Sequence, residues 1–239
     1  MRATGSNDSG AKDLSILIHR GGLSFFDRQN GVTEHCKASG STLSPQEACT
    51  AIEGYRSMHP AHKSAMIVMA DGRNAAVPER LFDEKLVHDY MNLSGIDVSP
   101  ENDTVILRRR DEMVFITAIK RALEERLRAI YEDVAITDPL YLSVTCAAGH
   151  PSRGALIIAD LVDRTMTLTL KSGRRLLFAD TVPVDSNEDT VFYIERLLRD
   201  NSLSAPAVIC AGMAADTTAE MLGHHYKTTI LKHRDYFII

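Results

Sequence analysis

No stretch of this 239-residue chain reaches the roughly 18 consecutive apolar residues of a membrane span, and none is expected to cross a bilayer. The opening segment MRATGSNDSGAKD lacks the apolar core of a secretory signal, so residues 1–12 are expected to form a flexible tail. No cysteine stands in a C-x-x-C pair, and none is read as forming a metal-ligand set with a histidine. Cys36, Cys49, Cys146 and Cys210 are scattered and are read as reduced, mostly buried thiols of a cytoplasmic protein, with no metal site. An excess of basic charge is missing too: 27 Lys and Arg stand against 32 Asp and Glu, a net charge of -5, with no general pull toward nucleic acid or anionic membrane. The one dense basic run, Arg108-Arg109-Arg110, is followed at once by Asp111 and Glu112 and is expected to be a solvated loop.

What is present is an ordinary globular composition, 44% hydrophobic and 25% charged, long enough for one large domain or two small ones. LSILIHRGGLSFFDRQNGVTEHCKAS reads as a meander of three strands, Leu14 to His19, Leu23 to Arg28 and Val32 to Ala38, turning at Gly21-Gly22 and Asn30-Gly31. Ser44, Pro45 and Glu47 make a capping box with a first-turn proline, so a helix follows over SPQEACTAIEGYRSM. SAMIVMAD is then an apolar run without alternation, the pattern of a strand covered on both faces.

The second half repeats this order. ALIIADL, MTLTLKSGRRLLFADTVPV with its Ser172-Gly173 turn, the helix NEDTVFYIERLLRD and the strand PAVICAG give strand, strand, strand, helix, strand again. Ile16 to His19 align with Ile157 to Asp160, a separation of about 141 residues that means a duplicated domain rather than a solenoid. The halves are expected over residues 13–148 and 149–239. Between the repeats, VPERLFDEKLVHDYMNLSG predicts a helix from about Phe82 to Met91, and MVFITAI a strand. KRALEERLRAIYED predicts an amphipathic helix with Ala122, Leu123, Leu127 and Ile130 on one face, and VAI a short strand. Asp138-Pro139 pairs an N-cap with a first-turn proline, so PLYLSVTCAAG is expected to be a helix, against the preference of Val144 and Thr145.

A duplicated meander, helix and strand resembles the actin-like ATPase fold of the ribonuclease H-like group, and most of the chain is similar to a family of uncharacterised bacterial proteins assigned to it. LSILI with GLSF, AAVPERLFDEKLVHDYM, LIIADL and LLFADTVPV carry the likeness, VPERLFDE most specifically. The resemblance implies an α/β protein of two duplicated halves, each with a mixed sheet. In active members each half offers a glycine-rich hairpin corner to a cleft, where aspartates hold a metal-nucleotide. Magnesium prefers oxygen ligands, and phosphates need close approach to backbone N–H groups.

In this sequence His19 takes the first aspartate position, ahead of Gly21 and Gly22. The second corner keeps Asp160, with Val162 at the expected glycine, followed by Asp163 and Thr165. The Gly-Gly that lies under an adenosine survives as Ala211-Gly212. His19, Gly21, Gly22, Asp160, Asp163, Thr165 and Gly212 are therefore the candidate nucleotide or phosphate positions, and Asp160 is either a phosphate and metal site or a hairpin corner. His59 and His62 have no carboxylate near them in sequence to complete a metal site, and His224-His225 are placed on a strand or helix where they do not chelate one ion. Ser152 lies in an exposed linker without a nucleophile elbow. Two readings follow. One is a catalytically silent scaffold that engages an unknown protein partner and needs no cofactor; the other is a nucleotide-binding protein or weak ATPase using ATP with magnesium.

Overall fold

The structure, a computed structural model, describes residues 12–27, 33–204 and 206–231. Most of the tail and the Asn30-Gly31 turn lie outside them. The chain divides into two compact units, the first ending at Asp138 and the second beginning at Pro139. Each has its own apolar core.

In the first unit, β1 (Leu14–His19), β2 (Gly22–Asp27) and β3 (Thr33–Lys37) form the expected antiparallel meander. Helix α1 (Pro45–Met58) starts as its sequence dictates: Glu47 N–H donates to Ser44 Oγ at 3.2 Å and Ser44 N–H to the Glu47 carboxylate at 2.9 Å. It buries Ala48, Ile52 and Tyr55, and the Tyr55 ring stacks on Phe25 with centroids 4.1 Å apart. Strand β4 (Ser64–Ala70) runs parallel to β1 and is covered on both faces, Ile67 and Val68 included.

The chain then leaves this sheet. Strand β5 (Asn74–Pro78), two 3-10 turns, helix α2 (Val87–Leu93), β6 (Asp103–Arg110) and β7 (Met113–Lys120) build a small antiparallel sheet of order β5-β7-β6, whose core includes Val87, Met91 and Ile116. The helix expected from Phe82 begins only at Val87, because the Tyr90 hydroxyl donates to Leu81 O and accepts from Asp83 N–H, holding the preceding residues in the tighter turns Glu79–Leu81 and Glu84–Leu86.

Arg108 to Arg110 are the end of β6 rather than a loop. Arg108 donates to Ile136 O, Arg109 lies 3.3 Å from Glu79, and the turn into β7 is made by Asp111 and Glu112, both left-handed with φ 49° and 61°. Helix α3 (Arg121–Ile130) buries Leu123 and Leu127, while Ala122 stays exposed. Strand β8 (Asp133–Thr137) completes the first sheet, order β3-β2-β1-β4-β8.

In the second unit, α4 (Pro139–Gly149) precedes a meander of β9 (Ala155–Val162), β10 (Thr165–Ser172) and β11 (Arg175–Pro183). Helix α5 (Asn187–Asp200), with its own capping box of Ser186 and Asp189, leads to β12 (Ala207–Ala211), α6 (Ala215–Leu222) and β13 (Lys227–Ile230). The sheet order is β11-β10-β9-β12-β13. Strands β1 and β9 are thus both central, flanked on one side by an antiparallel hairpin and on the other by a parallel strand, which is the expected duplication. The buried Lys171 of β10 donates to the carbonyls of Ala147 and His150, capping the C-terminus of α4.

Candidate functional site

The first hairpin corner is closed by its own backbone. His19 pairs with Gly22 across a two-residue turn of Arg20 and Gly21, and Ala38 and Leu43 N–H donate to Gly21 and Arg20 carbonyls at 2.9 and 2.8 Å. His19 is 7% exposed. Gly22 has φ 151°, and a Cβ there would fall 2.1 Å from the Cys36 carbonyl oxygen of β3. Its missing side chain is accounted for by a neighbouring strand.

The second corner turns through Asp163 and Arg164, with Val162 opposite Thr165 and Asp163 at φ 52°. Val162 ends the strand at the turn as His19 does, so β9 runs two residues further than β1; against the parallel neighbour, His19 opposite Ala70 and Asp160 opposite Ala211 stay equivalent, as the sequence alignment has them. Asp163 is exposed, Thr165 half-buried and Val162 buried at 4% exposure. Asp160 sits inside the sheet, paired with Thr167 and Ala211 and only 2% exposed. Gly212 (φ 82°) lies against it: a Cβ there would come 1.9 Å from Asp160 Oδ1. The aspartate is thus a buried carboxylate behind the turn, and the corner itself is Asp163. The candidate residues divide three and four between the units.

A feature that sequence reasoning missed lies in the first unit. A cavity of about 320 Å³ opens where the His19-Arg20 corner, the end of β4, the start of α1 and the β7–α3 junction meet. Ile18, Leu43, Met69 and Leu123 give it apolar walls; Arg20, Arg73 and Lys120 bring positive charge. Arg73 and Lys120 share one buried carboxylate, each 2.9 Å from Asp103 Oδ1. Burial opposes ionisation of Asp103, but hydrogen bonds from Arg73, Lys120 and Ser99 N–H prevail and hold it down at about 2. Burial pushes the Asp71 carboxyl above the usual range. Arg20, exposed in the turn, donates to the Asp71 carbonyl at 3.4 Å and forms no ion pair with a described carboxylate. Arginines at 20 and 73 and a lysine at 120 carry no common spacing, so no sequence signal joins them.

Three of the other chemistry-bearing side chains, His59, His62 and Ser152, have structural partners. His59 and His62 do find carboxylates, from strands distant in sequence: His62 Nε2 lies 3.0 Å from Asp27 and His59 3.5 Å from Glu34. His224 and His225 occupy the turn between α6 and β13 rather than a regular element. Ser152 Oγ donates to the Gly154 carbonyl. Cys36 is exposed, Cys49 half-buried, Cys146 and Cys210 buried, and burial pushes both buried thiols up to about 11. Among the described residues no three His, Cys, Asp or Glu side chains are grouped to hold a metal ion, and no helix is long and apolar enough to cross a membrane.

The two sheets and their helices have the actin-like ATPase fold. A crystal structure of a protein with that fold and unknown function from Bacteroides thetaiotaomicron superposes with a TM-score of 0.65 at 15% identity, covering 92% of this chain and 91% of that one. The structure of a PilM-PilN type IV pilus biogenesis complex is similar at a TM-score of 0.52 and 9% identity, over 94% of this chain and 89% of the other. No curated protein matches by sequence. The chain belongs to the family described as "Protein of unknown function (DUF3822)", whose model matches residues 4–210.

Proposed function

We propose that this chain is a catalytically silent actin-like-fold module that works by binding a protein partner, in the cytoplasm of a bacterium. The observation that carries the reading is the use made of two of its three motif glycines. Gly22 accommodates the Cys36 carbonyl and Gly212 the Asp160 carboxylate, so the room expected at the phosphate corner and the room expected under an adenosine are both taken by the protein's own oxygens. His19 supplies imidazole where magnesium wants a hard oxygen. The PilM-PilN complex supports the reading as a use of this fold in a protein assembly.

A second reading, a nucleotide-binding protein or weak ATPase using ATP with magnesium, is favoured by one contact: Asp160 and Gly212 retain two motif positions and touch each other. Phosphoryl transfer depends on positioned charge and a metal on the phosphate oxygens, and a buried Asp160 alone supplies neither cradle nor anchor. Melting the protein with ATP and magnesium at millimolar concentration, alongside a phosphate-release assay, separates the two. The scaffold reading expects an unchanged melting temperature and no turnover. A rise of several degrees, or turnover abolished in a folded Asp160→Asn variant, overturns it.

A further inference from the structure

We infer that the first unit carries a binding site for a small amphiphilic organic anion, a molecule with one phosphate or carboxylate head and an apolar body, seated in the cavity beside the His19-Arg20 corner. This goes beyond the scaffold reading and does not depend on it. The cavity lies wholly within the first unit.

Three observations carry the inference. The first is size and lining. An apolar cavity of roughly 150 Å³ holds a benzene molecule, so about 320 Å³ admits a single ring or short chain together with its head group. Ile18, Leu43, Met69 and Leu123 offer such a body an apolar wall. The second is charge. Arg20, Arg73 and Lys120 line it with Asp71 and the His19 imidazole; Asp103 pairs with Arg73 and Lys120 from beside the cavity, and Asp97 also acts on Arg73. Asp103 is already spent on two partners, and its remaining oxygen accepts Ser99 N–H at 2.9 Å. Arg20, which forms no ion pair with a described carboxylate, is the cation that can meet an anionic head.

The third is access. Arg20 is exposed and the Lys120 side chain is 46% exposed, so these two cations stand at the mouth while Ile18, Met69 and Leu123 are buried. That order suits a ligand that enters body first and leaves its head between Arg20 and Lys120. The start of α1 also borders the cavity. Its capping box is closed by Glu47, however, so the side-chain cations rather than the helix end supply the attraction.

Calorimetric titration of the full chain with phenyl phosphate and with benzoate, against inorganic phosphate and acetate, tests the site. Methyl spectra recorded during the titration show where the probe lies. Saturable binding of at least one aryl anion, tenfold or more tighter than its inorganic or acetate counterpart, is expected. Shifts should be confined to the cavity methyls, those of Ile18, Leu43, Ala48, Met69 and Leu123, and leave Met166 unmoved. The better aryl probe identifies the head group. In Arg20→Gln, a change at an exposed turn residue that leaves the melting temperature in place, affinity should fall about tenfold. Equal binding of the aryl and small anions, shifts elsewhere, affinity unchanged in Arg20→Gln, or no binding at 10-millimolar scale (~10 mM, an affinity weaker than about 3 kcal/mol) would each overturn the proposal. ATP-magnesium turnover would overturn the scaffold reading and leave this result standing.

Discussion

At Gly212 a single methyl group decides between two incompatible demands. It would fall 1.9 Å from Asp160 Oδ1, on backbone with φ 82° that side chains rarely adopt. The left-handed backbone alone costs about 1–2 kcal/mol, and displacing a buried carboxylate adds to it. Gly212→Ala is therefore expected to lose roughly 2–4 kcal/mol in chemical denaturation. The same change made in an Asp160→Ala background should cost distinctly less, and equal costs would mean the contact does not exist. Asp103 makes a second residue-level prediction. Its folded pKa of about 2 lies below the ordinary carboxylate value, so its ion pairs with Arg73 and Lys120 stabilise the fold at neutral pH. That contribution, up to about 2 kcal/mol, is complete above roughly pH 4 and fades as pH falls toward 2. The stability gap between wild type and Asp103→Asn should shrink over that window; a gap constant down to pH 2 contradicts the assignment.

Elements whose ends are written in local chemistry were legible; those defined by distant partners were not. The capping box at Ser44 announced α1, and the apolar runs of β4 and β12 announced buried central strands; α5 was placed by the repeated order of elements, and its box of Ser186 and Asp189 is seen in the structure. Strands β5, β6 and β13 went unread: one ends in proline, one ends in three arginines, and one is a four-residue, largely exposed strand. Strand β9 runs two residues past Asp160 before it turns, while the pairings His19 with Ala70 and Asp160 with Ala211 keep the sequence alignment; because strand side chains alternate with period two, the extra pair leaves every face unchanged. Only the packing around that longer strand, seen in three dimensions, reveals the burial of Asp160. Two changes test the element assignments. Ile209→Ala, in the middle of β12, should cost roughly 2–5 kcal/mol, and a loss under about 1 kcal/mol would mean the strand is not buried. Lys171→Met should cost about 1.5–3 kcal/mol by removing charged hydrogen bonds to the end of α4. Unchanged stability would show that α4 is not anchored there.

On the scale of the whole molecule, the duplication sets where the protein is most firmly held. Each unit surrounds one central strand with a parallel neighbour, β1 with β4 and β9 with β12, and buries all four. Strands β3 and β13 lie at sheet edges with most residues exposed. Amide exchange followed by mass spectrometry should find the slowest protons in β1, β4, β9 and β12 and the fastest strand protons in β3 and β13. Comparable exchange in edge and central strands would contradict this layering.

The β6–β7 turn gives the chain unspent room for improvement. Asp111 and Glu112 hold a backbone shape that hairpins ordinarily reserve for asparagine and glycine. The Glu112 carbonyl, which receives Glu79 N–H at 2.7 Å, belongs to the main chain and survives any substitution. Replacing the pair by Asn-Gly should raise unfolding stability by roughly 1 kcal/mol, since glycine adopts the left-handed shape without a steric penalty. Selection has therefore left a conformational cost in place that a hardier relative could shed, and such a variant would be a sturdier background in which to carry the destabilising substitutions above.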